Sequence, residues 1–296
     1  MAVRYTMREP GGDHDLPDKP FGLYSEGVAI HEILRLLTGS INLFDKQHDS
    51  LIELDENELR ADFTRASDPE LIRAALFSDE INLDEYRHFV ISASAENKVF
   101  FTQLQNELVL CLISKKRGNS TEAFLYLYRI LEFISLAFPM LYASTQRNFK
   151  RSHDFLKSLL ENERDGDLKI LSRALPFIAS QNELNLVKFD FSISGLEIPL
   201  VKEIKKQLES KVRPQVKDME FEQEGDILFR VGYNNIPSLF VSVRNRMFHY
   251  KIGEPNIDLG DIGAADRICD MCVPELIRWF ALTFAEVVRL LARQQI

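Results

Sequence analysis

The stretch with the clearest chemical content is Arg244-Asn245-Arg246-Met247-Phe248-His249, an R-N-x-x-x-H sequence. A histidine titrates near neutrality and can move protons. An arginine can hold a phosphate and stabilise the charge that develops on it. An asparagine amide can orient either of them. On a helix, at about 100° per residue, Asn245 lies about 100° and His249 about 140° round from Arg244. Asn245 and His249 are also an i,i+4 pair. The three polar tips can therefore converge on one patch while Val243 and Phe248 face elsewhere and anchor the helix. Such a patch suits a phosphodiester reaction. An Arg–His spacing alone is a weak signal; the Asn directly after the Arg, on the penultimate long helix, sharpens it. The bland reading is an exposed arginine beside a structural histidine.

Other reactive residues carry less. Glu132 sits in the middle of an apolar helical run, and a buried charge needs a partner. Arg129 or Arg244 can supply it as a structural ion pair, or Glu132 steers Arg244 or His249. Arg246 either touches a nucleic acid or faces solvent. Cys269-x-x-Cys272 looks like half a zinc site without the other half, so two buried thiols on one helix are expected. His31-Glu32 lacks the second His of an H-E-x-x-H zinc site. Asp258, Asp261 and Asp266 lead into a helix N-terminus, where acids are favoured. Lys202, Lys205, Lys206, Lys211, Arg213 and Lys217 are interleaved with acids and read as a solvated face. No Walker loop or G-x-G-x-x-G is present, so no nucleotide-binding domain is indicated; with the zinc and acidic-cluster readings set aside, no cofactor and no metal is expected.

The elements that must position these residues follow from composition and pattern. The 296 residues are 45% hydrophobic and 27% charged, an ordinary globular mix with room for two structural units. With Gly 13 and Pro 11, a turn-rich all-β fold is disfavoured. Three cysteines are no disulfide framework in a chain of this length and fit a reducing, cytoplasmic setting. A net charge of -9 argues against sequence-blind coating of nucleic acid, though a compact site remains allowed. Residues 1–20 lack an apolar signal-peptide core and read as a loose arm. Ala123–Ala143 and Val273–Ala292 resemble membrane spans but carry Arg129, Glu132, Arg278 and Glu286, so both are expected to be buried helices of a soluble domain, with no membrane partner.

Short helices are expected at Val28–Leu37, Asp55–Ala66 and Asp68–Phe77. Lys98–Lys116 is strongly helical, and Gly118 stops it. Asn119 with Glu122 three residues on reads as a capping box opening a helix to about Tyr142. The two helices form an antiparallel pair with a tight turn. Next come helices at His153–Leu160, Leu168–Ser180 and Val201–Leu208, an alternating strand at Leu186–Ile193, and a second strand at Asp226–Val231. The motif helix starts at Ile236, and Ala264–Arg293 is the last long helix. The expected fold is mainly α: an N-terminal region of mixed, helical character (1–95), then a helical domain (96–296) with a small α+β insertion at about 144–232.

This arrangement resembles the HEPN superfamily, helical domains whose active members are metal-independent endoribonucleases. Three features carry the resemblance: Arg244-Asn245…His249, matching an R-x(4–6)-H signature; Leu125–Ser135, with an aromatic-Arg-x-x-Glu pattern; and the order of helical hairpin, variable insert, motif helix and closing helix. It covers about Lys98–Arg293, with the insert unmatched. It implies a homodimer with a composite site. His249 would be the general acid or base, the RNA 2′-hydroxyl the nucleophile, Arg244 the phosphate ligand and Asn245 the orienting group. Glu132, Arg129, Arg246 and Tyr250 would be supporting residues. Tyr250 directly after the His departs from the R-x4-H-x-Y form of nucleotidylylated toxins. The products would carry 2′,3′-cyclic phosphate ends. The substrate would be tRNA or mRNA, the setting a bacterial toxin or antiphage effector, and an antitoxin or sensor a possible partner. A catalytically silent dimerisation or scaffold module is the other reading.

Overall fold

The computed structural model describes residues 4–10, 28–59, 69–77, 80–159, 166–181, 183–193, 195–222, 225–249, 253, 256–257 and 262–295. Among them are ten helices and six short strands, so the fold is mainly α. Packing divides the chain into two compact units, residues 1–113 with 281–296 and residues 114–280. The 95/96 division drawn from the sequence falls in the last turn of the third helix, inside the first unit.

The first unit holds strands β1 (Tyr5–Arg8), β2 (Asn42–Asp45) and β3 (Ser50–Ile52), which form an antiparallel sheet in that order. The loose arm expected at the N-terminus is therefore corrected in part: Tyr5 pairs with Asp45 and Arg8 with Asn42. Helix α1 (Ala29–Leu37) buries nearly every side chain. It ends at Gly39, whose φ of +64° favours glycine and where a Cβ would sit 2.7 Å from the Glu56 carbonyl. The helix expected at Asp55–Ala66 is absent over residues 55–59, and the rest of that stretch lies outside the described residues. Helices α2 (Pro69–Phe77) and α3 (Leu83–Glu96) follow. The α3 start is a complete capping box, the Asn82 side chain accepting from the Glu85 amide and the Glu85 side chain accepting from the Asn82 amide.

The second unit is built on α5 (Ser120–Thr145), reached from α4 (Lys98–Lys116) through a tight turn. Gly118, at φ +74°, takes the left-handed position of a Schellman turn. Its amide bonds the Lys115 carbonyl and the Asn119 amide bonds Ser114. The capping box expected at Asn119 does not form, because the Asn119 side chain makes no cap bond. Glu122 instead accepts from the hydroxyls of Ser114 and Tyr126. The α5 start is tied to α10 (Ile262–Gln295) by Ser120 donating to Asp270 at 2.8 Å and Thr121 donating to Asp266.

Behind α5 lie α6 (Phe149–Leu159) and α7 (Asp167–Ile178). A second sheet of β4 (Lys188–Ser192), β5 (Glu220–Phe221) and β6 (Ile227–Gly232) has the order β4-β6-β5, all antiparallel. Its alternation is as expected: Phe189 and Phe191 are buried, while Lys188, Asp190 and Ser192 are exposed. Phe191 stacks on Phe229 at 4.6 Å between ring centres. Helix α8 (Ile198–Lys211) precedes β5, and α9 (Ile236–Phe248) follows β6. Helix α7 packs against both α5 and α9, so the stretch read as an insertion contributes to the core that carries the motif helix.

Two measurements address the polar interior of the first unit. Arg35 donates to both carboxylate oxygens of Glu9 at 2.7 Å and to the Ser40 carbonyl at 2.7 Å, with Arg35 1% and Glu9 7% exposed. Glu9→Ala leaves a buried guanidinium without its counter-charge, so a loss of about 3–5 kcal/mol is expected in chemical denaturation. His31 is fully buried against the Tyr86 hydroxyl at 3.0 Å, and burial, then nearby Arg35, lower its pKa to about 3. The unfolded chain thus takes up a proton at His31 below about pH 6.5 that the folded chain refuses until about pH 3. Stability is lost as pH falls through that window. His31→Gln should flatten the acid limb of a stability–pH curve relative to wild type; an unchanged limb would refute the assignment.

Candidate functional site

Helix α9 begins at Ile236, with Pro237 in its first turn, where the missing amide costs no hydrogen bond. Its inner side is fixed by Leu239, Phe240 and Val243, all buried. Phe240 meets the Phe124 ring of α5 edge-on at 4.7 Å and Tyr128 at 5.8 Å. Those contacts set the rotation of α9 about its axis, and so decide where Arg244 points.

Arg244 is half-buried, with its guanidinium over the Tyr128 ring, 4.6 Å from the centre. Cation–π contact of this kind is worth about 0.5–2 kcal/mol, more when shielded from water. One guanidinium nitrogen donates to the Asn245 side-chain oxygen at 3.1 Å. The Glu132 carboxylate lies one helical turn along from Tyr128, near enough to act on its phenol. Burial raises the Tyr128 pKa, the Arg244 charge lowers it, and the nearby Glu132 carboxylate raises it again. Asn245, Arg244 and Tyr128 thus form a chain of contacts from α9 to α5, with Glu132 one turn beyond on α5.

Several sequence expectations need correction. Glu132 is exposed, not buried in the apolar run. Its charge acts on the Tyr128 phenol, and among the described residues no ion pair joins it to Arg129 or Arg244, the two mates expected for it. Arg129, one residue on from Tyr128, is also exposed. Arg246 is 9% exposed and so neither faces solvent nor is open to a ligand. It lies about 200° round the helix from Arg244, and its carbonyl accepts from the Ile257 amide at 2.9 Å. His249 is not on the helix. It is the C-cap of α9, with φ -108° and ψ 76°, and it is exposed. The i,i+4 geometry with Asn245 therefore does not apply, and no hydrogen bond joins His249 to Arg244 or Asn245 among the described residues. Phe248, expected as an anchor, is 37% exposed and touches Phe124 at 6.0 Å between ring centres. Tyr250, Asp258 and Asp261 lie outside the described residues.

Tyr128 is the residue that sequence reasoning missed. The aromatic-Arg-x-x-Glu pattern contained the signal, since Tyr128 and Glu132 are an i,i+4 pair on one helix face. The remaining candidates take plain structural roles. Lys205 donates to the Glu222 carbonyl and Lys206 pairs with Glu203, as on a solvated face. Cys269 and Cys272 are buried side by side on α10; burial first raises both thiols, Cys269 to about 12. Among the described residues no group of three or more His, Cys, Asp or Glu side chains is placed to hold a metal ion. By length and composition α5 could cross a bilayer, yet half of its most apolar stretch is buried within the protein. Comparison with known proteins finds no matching family model, no matching curated protein and no matching solved structure.

Removing the Tyr128 hydroxyl leaves the ring under Arg244, whereas removing the ring leaves the guanidinium without its support. Tyr128→Phe is therefore expected to cost under about 1 kcal/mol in denaturant unfolding and Tyr128→Leu about 1–3 kcal/mol. Equal losses would show that the ring–guanidinium contact contributes nothing.

Proposed function

We propose that this chain is a metal-independent endoribonuclease that works as a homodimer. It cleaves RNA by attack of the 2′-hydroxyl and leaves 2′,3′-cyclic phosphate ends. The reading rests on the resemblance of Arg244-Asn245…His249 to the HEPN motif. The observation that carries it furthest is the posture of Arg244. A half-buried guanidinium, held by the Tyr128 ring on one side and the Asn245 amide on another, keeps donors for a phosphate and loses little side-chain freedom in binding one. His249, exposed at the end of the same helix, is accessible for proton transfer. Glu132 and Arg129 are exposed supporting residues on α5. The cellular role follows from the resemblance alone: a cytoplasmic toxin or antiphage effector cleaving tRNA or mRNA, held in check by an antitoxin or sensor.

A second reading has its own support. His249 lies off the helix and makes no hydrogen bond with Arg244 or Asn245, while Arg244 is accounted for by packing on Tyr128. A catalytically silent helical scaffold that dimerises would have this appearance.

The two readings separate on induced expression of the wild type, Arg244→Ala and His249→Ala at matched abundance, with RNA 3′ ends mapped. For the enzyme, the wild type arrests growth and leaves chelator-resistant cyclic-phosphate ends, and each variant lowers cleavage by roughly 10²–10⁴-fold. Cleavage that survives both substitutions rules the assignment out. A silent wild type whose Arg244→Ala variant melts much lower favours the scaffold.

A further inference from the structure

Helix α5 buries Phe124, Leu127, Leu131, Ile134 and Phe138, and turns its opposite side outward. Leu125 is 39% exposed, Phe133 36%, Leu136 40% and Met140 69%, with Arg129 and Glu132 exposed among them. At about 100° per residue these six positions fall within one stripe about 100° wide. A row of large apolar side chains open to water is the mark of an interaction surface.

The order of residues along the stripe identifies the occupant. Leu125, Arg129, Glu132 and Leu136 read apolar–basic–acidic–apolar, and the spacing is the same from either end: four residues, three residues, four residues. A two-fold axis through the midpoint between Arg129 and Glu132 maps each leucine onto the other and each charge onto its opposite. Such self-complementarity is what an isologous two-fold contact requires, because residue i meets residue j and j meets i.

We propose that the outer stripe of α5 docks against the same stripe of a second copy of this chain, the two helices antiparallel. Leu125 packs on the partner's Leu136, and Arg129 pairs with the partner's Glu132, each contact occurring twice. Phe133 and Met140 flank these pairs and add apolar area. In a parallel arrangement like charges would face each other, which costs affinity. Insertion of the stripe into a bilayer would place Arg129 and Glu132 near the middle of the span, where each costs about 2.5–3.5 kcal/mol. This interface stands whether or not the protein cleaves RNA, so its test does not use activity.

The test is the mass of the full-length protein in solution, by light scattering after gel filtration. Wild type should run at twice the 34.2 kDa of one chain. Arg129→Glu puts two acids on the stripe, and Glu132→Arg two bases; each alone should weaken self-association roughly hundredfold or more and halve the mass. An equimolar mixture of the two variants, whose stripes complement each other, should return to the dimer mass, as should the double variant. Both positions are exposed, and thermal melting confirms that each variant is folded. Leu136→Glu, which removes the apolar contact, provides an independent route to the monomer. A monomeric wild type overturns the proposal, and if that monomer sediments with phospholipid vesicles the stripe is a membrane face. Single variants that remain dimeric, or a mixture that stays monomeric, also overturn it.

Discussion

A helix that is apolar on nearly every side cannot satisfy itself with one neighbour. Helix α5 has 26 residues, about 39 Å of length, and its sequence from Ala123 to Tyr142 offers only Arg129 and Glu132 as charges. One side is taken by α7 and α9. The aromatic contacts among Phe124, Tyr128 and Phe240 that seat α9 also determine where Arg244 points. The other side is left as an apolar stripe. The candidate site and the surface beside it are therefore two results of the same excess of hydrophobic residues, and a change to the packing of α5 would be felt in both.

The first unit follows a different logic. Its interior includes Glu9, His31, Arg35, Ser40, Asn42 and Asp45, all buried. Arg35 bridges the residue after β1 and the loop before β2, and Glu32 reaches Gln105 of α4 at 2.5 Å, its own pKa raised by burial and lowered in part by that bond. Buried polar groups of this kind contribute little net stability but penalise any packing that leaves one of them unmatched. In short strands of three or four residues this adds to the register that a buried face already imposes.

What the sequence discloses depends on how local the deciding interaction is. Helices α1, α2, α4, α5 and α7 to α10, and strands β4 and β6, are carried by periodicity within each segment, and the structure places them within a few residues of expectation. The β1–β2 pairing joins Tyr5 to Asp45 and leaves no periodic mark on residues 5–8. At Asn119 two local signals competed: the Schellman turn of Gly118 engages the Asn119 backbone, and the side-chain cap does not form. The complete capping box lies at Asn82, in a stretch of mixed pattern. In the candidate site, the Arg244–Asn245 contact was legible from adjacency. The Tyr128 ring under Arg244 was not, because it joins residues more than a hundred positions apart. Glu132 illustrates a further limit: on a helix apolar all round, no hydrophobic stripe marks the inner face. R-N-x-x-x-H fits helical spacing and would carry His249 on the helix; α9 ends one residue before it.

The line between the two compact units passes through α4, between Ile113 and Ser114, and through α10, between Phe280 and Ala281. Natural boundaries between exchangeable modules lie in exposed linkers, where cutting the chain severs few hydrogen bonds. Here both crossings interrupt a continuous helix and would break the i→i−4 ladder on either side of the cut. Neither unit can be lifted out as a cassette by gene fusion or domain grafting without exposing a frayed helical stump. Recombination that preserved folding would have to move the two units together, so their sequences are expected to travel through evolution as a single heritable block.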